Sequence, residues 1–405
     1  MSKQHMELPA ADFYDFEALL SPAEKAKLTQ LREFLTAEVA PHAVGWWNDA
    51  QFPAHILPKI AALDLAAPDR REFSHLFTGL VVAEMTRVDT SLATFFLVHH
   101  DLFVQALLDF GTPEQRERLL PDALALRTTG AFALTEPDHG SDVAGGMVTT
   151  ARHVSDDGGS YWVLNGAKRW IGNGTFCDRM LLWARDADTG QVRGFFLDAA
   201  SEGVVRNKIE NKIALRTVQN AHITLTDVRV PDVDRIVAVS SFEDTNHLLL
   251  GSRISVAWQA VGQQLAAFDI ARAYAVERQQ FGRPLAAFQM IQSQLVRMLG
   301  NATSSLAMMV RIAALQDGVS NGGAASDGQL VPSMAQVALA KAHTTAAMRE
   351  TVSLGRSILG GNGIVSDYGM AKVFADAEAI YTYEGSHEIN TLIAGRAITG
   401  ISAIV

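Results

Sequence analysis

Ala131-Phe132-Ala133-Leu134-Thr135-Glu136-Pro137-Asp138-His139-Gly140-Ser141-Asp142 marks the point where the sequence changes texture. It begins as a strand and breaks into a polar loop around one glycine. Downstream, Tyr161-Trp162-Val163-Leu164 runs into Asn165-Gly166, a dipeptide that favours hairpin turns. Met180 to Ala184 and Val192 to Leu197 then flank a turn-rich stretch from Asp186 to Gly190, and Ile223, Leu225, Val228 and Val230 alternate before Pro231. Short apolar or alternating runs between turn residues predict a middle domain of antiparallel sheet.

On either side the period is helical. Ser21-Pro22-Ala23-Glu24 combines an N-cap, a proline at the first helical position and a capping glutamate, and Leu28, Leu31, Leu35 and Val39 follow at helical spacing. A helix is expected there, stopping before Pro41. Leu80 to Met85 and Ala93 to Phe110 carry similar signals, with Gly111-Thr112-Pro113 as a stop. Later, Ile254, Trp258, Val261, Leu265 and Phe268 mark one apolar face, and Phe288, Ile291, Leu295, Met298, Ala302, Met309 and Ala313 another. Asn321 to Gln329 reads as a loop, with helix resuming near Ser333. The expected fold is α+β and multidomain: an N-terminal helical domain (1–130), a middle β domain (131–240) and a C-terminal four-helix bundle (241–405).

A chain of 405 residues is long enough for two or three domains around a shared site. Hydrophobic residues at 48% and charged residues at 19% fit a globular protein rather than a disordered or fibrous one. With 34 Lys and Arg against 44 Asp and Glu, the formal charge of −10 opposes nonspecific attraction to nucleic acid or anionic lipid. An anionic ligand therefore needs locally placed cations. The single cysteine, Cys177, excludes an internal disulfide and suits a reducing compartment. Met1 to Glu17 lack the apolar core of a secretory signal, no later run is expected to span a bilayer, and Ala403-Ile404-Val405 is no peroxisomal address. Cytoplasmic residence is the expectation.

Four segments carry candidate chemistry. The 132–142 loop offers backbone N–H groups and the hydroxyls of Thr135 and Ser141 to a polar ligand, or is a capped turn between strands. Lys168-Arg169-Trp170-Ile171-Gly172-Asn173-Gly174 sets an indole beside two glycines, a wall for a flat ring or a tryptophan of the sheet core. Ile358-Leu359-Gly360-Gly361-Asn362-Gly363 permits close backbone approach or simply ends a helix; its helical upstream neighbours disfavour a dinucleotide-binding turn, which follows a strand. Tyr381-Thr382-Tyr383-Glu384-Gly385-Ser386 presents a carboxylate among aromatics. Burial makes such a group a stronger base, whereas exposure leaves it ordinary.

The joint order of these segments resembles the acyl-CoA dehydrogenase family over nearly the whole chain, and more closely its glutaryl-CoA dehydrogenase and plant short-chain acyl-CoA oxidase branch. The resemblance is carried by Leu134-Thr135-Glu136-Pro137 with Gly140-Ser141-Asp142, Trp170-Ile171-Gly172-Asn173, Glu277-Arg278 with Gln280-Phe281-Gly282 and Pro284, Leu359 to Gly363, and Tyr383-Glu384-Gly385. It implies FAD as cofactor and removal of hydrogen from the α and β carbons of an acyl-CoA. Phe132, Leu134, Thr135 and Ser141 match the segment holding the flavin pyrimidine edge and pyrophosphate, and Trp170, Ile171 and Gly172 the segment beside the flavin ring. Arg278, Phe281 and Gln289 match positions reaching a neighbouring subunit's FAD, with Gly360, Gly361 and Gly363 completing that site; Ser386 and Glu388 match further cofactor contacts. A homo-oligomer is thereby implied, usually a dimer of dimers, and electron-transfer flavoprotein as acceptor. Glu384 matches the base that takes the α proton, its N–H binding the thioester carbonyl while the β hydrogen leaves as hydride. Some branches place the base immediately before the arginine matching Arg253; here that residue is Ser252. Arg253 either tunes the base or caps its helix. Ser141, Phe95, Phe96, Arg253, Tyr383 and Gly385 are the expected substrate contacts.

Two departures bear on specificity. Where glutaryl-CoA dehydrogenases pair an arginine with a distal carboxylate, the matching residue is Ala93, among the apolar Leu92, Phe95, Phe96 and Leu97. An unpaired buried carboxylate costs on the order of several kcal/mol, so a plain acyl tail is expected. Two phenylalanines taking up room make it a short one; if they are core residues instead, chain length is undetermined. Gly172 replaces a threonine that hydrogen-bonds flavin N5 in most dehydrogenases of the family; the plant oxidases resemble this chain there, so oxygen is the alternative acceptor. A rival of another class rests on Glu72-Phe73-Ser74-His75 and Glu384-Gly385-Ser386-His387, which share the Glu-x-x-His spacing of di-metal bundles. Gly385 and the intervening sheet argue against it, and no metal is expected. His99-His100-Asp101 point to different helix faces and make no ligand cluster.

Overall fold

The computed structural model describes residues 11–66, 73–157, 159–320, 323–324 and 332–403. Ser21 opens α1 (Pro22–Phe34): its hydroxyl accepts the Glu24 N–H at 3.3 Å while the Glu24 carboxylate accepts the Ser21 N–H at 2.8 Å, the reciprocal cap expected from sequence. α2 (His75–Val88), α3 (Thr90–Leu97) and α4 (Pro113–Leu124) follow. Beyond α3 the chain stays helical but widens to π turns over Val98–Val104. Gly111-Thr112-Pro113 both stops one helix and starts the next, because Thr112 caps α4 reciprocally with Gln115.

Seven strands form one sheet: β1 (Gly130–Ala133), β2 (Thr150–Asp156), β3 (Gly159–Ile171), β4 (Arg179–Asp186), β5 (Val192–Asp198), β6 (Val204–Lys208) and β7 (Ala221–Pro231). Their order is β1-β4-β2-β3-β7-β6, with β5 also on β4. The expected antiparallel sheet is corrected to a mixed one, since β1 and β2 both pair with β4 in parallel. Each such pair is joined by a long excursion through other elements, as parallel pairing requires. Asn165-Gly166 also departs from expectation. β3 runs straight through it, and the hairpin joining β2 to β3 closes between Asp156 and Gly159 instead. The β3–β7 register slips between Leu164 and Gly166, where Asn165 exchanges hydrogen bonds of 2.9 and 3.0 Å with Asp227. The dipeptide lies opposite a β-bulge of β7, where Thr226 and Asp227, the latter at φ 49°, face the single Asn165.

The C-terminal third contains α5 (Phe242–Glu277), α6 (Gln289–Gln316), α7 (Met334–Ile358), α8 (Met370–Thr382) and α9 (His387–Thr399). The loop expected at Asn321 to Gln329 lies outside the described residues apart from Gly323 and Ala324; helix resumes at the Ser333 cap as read. α5 packs on α2, α6, α7 and α8 and is buried on nearly all sides between Ser252 and Phe268. A Cβ on Gly262 would fall 2.2 Å from the Ala83 carbonyl of α2, so only glycine lets these helices approach. As a result N- and C-terminal helices share one apolar core, including Leu28, Phe77, Trp258 and Met309. The sheet has its own, and Phe103, Leu107, Trp183 and Phe196 form the seam between helices and sheet. One buried carboxylate ties the three regions together: Asp376 of α8 accepts from Trp47 Nε1 at 2.8 Å and the Leu215 N–H at 2.6 Å, and pairs with Lys372 at 3.1 Å.

The expectation that no run is long enough to span a bilayer does not hold. Thr90–Phe110 and Gln289–Gln316 meet the length and composition for a crossing, the former with 78% of its apolar window buried inside the protein.

Candidate active site

α8 ends at Thr382, and the chain turns through Tyr383-Glu384-Gly385 before Ser386 caps α9, its hydroxyl accepting the Ile389 N–H at 3.2 Å. The turn is sharp. Glu384 has φ 55° and Gly385 φ 76°, and a Cβ on Gly385 would stand 3.0 Å from the Asn390 amide nitrogen. Three donors hold the carbonyls of this strained turn. Arg253 Nε donates to the Glu384 carbonyl at 3.3 Å, Lys341 Nζ to the Gly385 and Tyr381 carbonyls at 2.8 and 3.0 Å, and Asn390 Nδ2 to Gly385 and Ser386 at 2.8 and 3.0 Å. With its carbonyl engaged on one side, the Glu384 N–H donates to no group among the described residues.

The Glu384 side chain is half-buried, and Ser252 of α5 donates to its Oε2 at 2.7 Å. Burial raises its pKa, opposed by the Ser252 hydrogen bond and by the charges of Arg253 and Lys341. The same burial lowers Lys341 to about 8, partly offset by Glu384, and also lowers Arg253. Tyr383 donates through its hydroxyl to Gln259 Oε1, and Gln259 Nε2 donates to Thr94 Oγ1 at 3.1 Å, so the turn is keyed to α5 and α3 together. Arg253 thus fixes backbone as well as placing charge.

A second edge lies between β1 and the end of β3. The Arg169 N–H donates to the Thr135 carbonyl at 2.9 Å, and fully buried Lys168 donates to the Leu134 carbonyl at 3.0 Å and to Glu136 at 2.9 Å. Glu136 in turn accepts the N–H groups of Val148 and Thr149. Burial brings Lys168 down to about 8 against the pull of Glu136. Asn173, at φ 61°, donates to the Gly130 carbonyl at 3.1 Å. These bonds fuse the 134–141 and 168–174 segments into one ledge. On it Trp170 is 53% exposed, and among the described residues no hydrogen-bonding partner meets the Thr135 or Ser141 hydroxyl. The exposed ring, with Thr135 half-buried and Ser141 exposed on the facing loop, leaves this edge accessible to a flat group with a polar edge. Phe132 and Leu134 turn inward, with Phe132 6.2 Å from the Trp183 ring, and Ile171 is buried.

The remaining expected cofactor residues are elsewhere. Arg278, Phe281 and Gln289 are exposed at the far end of α5, where Asn362 of the Gly360–Gly363 turn donates to Tyr274 at 2.9 Å. Ser252 and Glu277 lie on one continuous helix, so at 1.5 Å per residue this group stands roughly 37 Å from Glu384. One chain cannot bring both around a single reacting ring. Glu388 is exposed in the first turn of α9, near Ser386.

Phe95 and Phe96 are core residues. Phe95 stacks among Phe52, Phe176 and His99, Phe96 packs on His100 at 4.0 Å, and Ala93 is buried beside them. The side chains of this helix that border the site are Thr94 and Val98, the latter 3.2 Å from where a Cβ on Gly172 would stand. Sequence reasoning missed Lys341 and Asn390, whose helical surroundings gave no signal, and Asp101, to which Ser255 donates. His99 is structural: its Nε2–H donates to the Ala123 carbonyl at 2.8 Å, its Nδ1 accepts the Gly130 N–H at 2.9 Å, and burial lowers its pKa to about 4. Cys177 is buried, which pushes its thiol up to about 12 and away from reactivity. Among the described residues no group of three or more His, Cys, Asp or Glu could hold a metal ion; Glu72 of one Glu-x-x-His pair lies outside them.

Three domain families match the chain: "Acyl-CoA dehydrogenase, N-terminal domain" over residues 21–127, "middle domain" over 131–228 and "C-terminal domain" over 242–399. The short-chain specific acyl-CoA dehydrogenase of Bos taurus mitochondria is 30% identical over 89% of this chain and 86% of its own. The caffeyl-CoA reductase-Etf complex subunit CarC of Acetobacterium woodii is 30% identical over 85% and 90% respectively. A glutaryl-CoA dehydrogenase of Mycobacterium smegmatis, solved in complex with FADH2, superposes with TM-score 0.89 at 27% identity, covering 98% of this chain and all of that one.

Proposed function

The chain belongs to the acyl-CoA dehydrogenase family, FAD-dependent oxidoreductases acting on the CH–CH bond of an acyl-CoA, and we propose that it oxidises a short acyl-CoA without a distal carboxylate, passing electrons to electron-transfer flavoprotein. The observation that carries the reaction is Glu384: a half-buried carboxylate of raised pKa, on a strained turn whose N–H has no partner among the described residues.

Bound FAD supplies the hydride acceptor. Its residues on this ledge would be Trp170, Thr135 and Ser141. Glu384 takes the α proton. Ser252 secures Oε2 and leaves Oε1 to face the substrate, while the Glu384 N–H is placed to donate to the thioester carbonyl as negative charge develops there. Arg253, Lys341 and Asn390 keep that N–H aimed by binding the carbonyls of the turn. Tyr383, tied to Gln259, fixes the entry to the turn and limits water at the base.

Absence of a distal carboxylate rests on buried, uncharged Ala93, which offers no cation for a dicarboxylyl tail; with Phe95 and Phe96 packed in the core, the short length rests on the short-chain specific relative alone. The acceptor proposal is supported by the Etf-complex relative. Gly172 favours an oxidase as second reading, though Val98 occupies much of the space that glycine leaves. Anaerobic titration of the oxidised protein with acyl-CoAs of increasing length, read as flavin bleaching, tests the reaction and chain length together. Bleaching by butyryl-CoA that survives admission of air supports the dehydrogenase; rapid reoxidation with stoichiometric peroxide establishes the oxidase.

A further inference from the structure

Ser252 and Ser255 stand one turn apart on α5, and each donates its hydroxyl to a carboxylate: Ser252 to Glu384 and Ser255 to Asp101. Residues three apart share a helix face with Cβ atoms about 5–6 Å apart, so the two acids are neighbours across that turn. Asp101 arrives on the π-helical segment after α3. Across residues 91–104 every side chain is buried except two, Val98 and Asp101. Val98 lies against Gly172 of the ledge, and Asp101 against Ser255, one turn from the Ser252 that binds Glu384, so the two half-buried side chains of this segment lie toward the ledge and toward the base. Among the described residues Ser255 alone hydrogen-bonds Asp101, and only through Oδ2; its other oxygen is left for an incoming group.

We propose that Asp101, positioned by Ser255, is a specificity residue of the acyl pocket that accepts a hydrogen bond from a hydroxyl on the acyl tail and repels tails ending in a carboxylate. The proposal deepens the acyl-CoA reading and rests on it. The ionisable groups around Asp101 are Glu384 from the base turn, with Arg253 and Lys341 behind it, and His99 and His100 on its own segment. Burial, together with the charge of Glu384, lifts Asp101 to about 6, so it is mainly ionised at neutral pH. Burial lowers both histidines, which remain neutral and do not neutralise it. A plain alkyl tail would strip water from this carboxylate and return no hydrogen bond, and a carboxylate tail would add like charge. A hydroxyl about two bonds beyond the β carbon meets the spacing set by one helical turn.

The test compares three CoA thioesters of nearly equal length: 4-hydroxybutyryl-CoA, pentanoyl-CoA and succinyl-CoA. The readouts are kcat/KM for flavin reduction in the FAD-loaded protein and, separately, Kd by titration calorimetry on Glu384→Gln, which binds without turnover. The expected result is at least tenfold preference for the hydroxyacyl over the alkyl thioester in both readouts, reversed in Asp101→Leu. Asp101→Asn, which keeps the size and the Ser255 contact, should improve succinyl-CoA binding at least tenfold, and serves alone if the leucine variant fails to fold. Equal or better binding of pentanoyl-CoA by the unmodified protein, or ratios unmoved by either substitution, overturns the proposal. Binding preference without any flavin bleaching would instead sink the dehydrogenation reading and leave Asp101's selectivity standing.

Discussion

Replacing Ser252 with alanine isolates the hydrogen bond that holds the base. The Ser252 hydroxyl donates to Glu384 Oε2 at 2.7 Å, and it stabilises the carboxylate more than the protonated acid. Hydrogen bonds to charged groups contribute about 1.5–3 kcal/mol, and some of that survives when the acid is protonated. A differential of roughly 1.4 kcal/mol remains, equal to about one pKa unit. Glu384 is already raised by burial, with Ser252 foremost among the groups opposing that rise, so removing Ser252 must raise it further. Proton abstraction needs the ionised form, so activity grows as pH rises through the pKa and the acid limb should move upward. The assay is single-turnover anaerobic flavin reduction by butyryl-CoA as a function of pH. The expected outcome for Ser252→Ala is an acid limb displaced upward by about one unit, with the alkaline plateau kept within a few-fold. An unmoved limb would refute the claim that this bond tunes the base. Asp101 titrates close by, so the limb belongs to the pair, and Asp101→Asn should move it the opposite way by removing a like charge.

Glu384→Gln should lower the rate of flavin reduction about 10²–10⁴-fold while acyl-CoA still perturbs the flavin spectrum, because binding does not need the base. Lys168→Met leaves Glu136 charged and buried, and should cost about 3–5 kcal/mol by urea denaturation, with FAD retention falling in parallel; the double variant with Glu136→Gln should recover part of it. Phe281, in the turn between the paired Gln279–Gln280 and Arg283–Pro284, is 91% exposed, and Met290 and Val296 in the first turns of α6 are 80% and 73% exposed; Phe281→Asp should reduce the mass found by sedimentation and release FAD. If that variant keeps both, the expectation from the family resemblance that subunits share the cofactor fails.

The helices were legible because caps and periodicity act locally. Ser21, Ser333 and the Ile254–Phe268 stripe sit where spacing put them. Asn165-Gly166 was misread because the dipeptide encodes tolerance of unusual backbone angles, and a strand position facing a bulge uses it, with Gly166 at φ 146°, as a turn does; only the pairing partner, Asp227, distinguishes them. Parallel pairing of β1 with β4 was invisible for a similar reason, since register between distant strands leaves no local mark. At the site Glu384 was found through its order among other motifs, and Ser252 was noted only as an absence of acid. That a hydroxyl there would bond the base is a tertiary fact. Phe95 and Phe96 were misplaced because an aromatic pair in an apolar helix looks the same whether it lines a pocket or a core. Asp101 looked like one member of a polar triplet, and its value depends on Ser255, far away in sequence.

α5 explains why these hidden partners converge. A helix apolar enough to be buried on all sides has to satisfy any polar residue it carries, because burial without a partner costs about 1–3 kcal/mol per group. Ser252, Arg253, Ser255, Gln259, Gln263 and Gln264 are all buried on it, and each bonds outward: to Glu384, the Glu384 carbonyl, Asp101, Thr94, the Val373 carbonyl and Ser305. The polar half of the helix therefore fixes groups from α3, α8, the base turn and α6 relative to a single rigid axis. Small hydroxyls at 252 and 255 leave the two acids room to face the substrate, whereas longer side chains there would fill the pocket. The same rigidity carries Arg278 and Phe281 well beyond reach of the base, so in the reading where subunits share the cofactor this end of the helix would serve a neighbour's site.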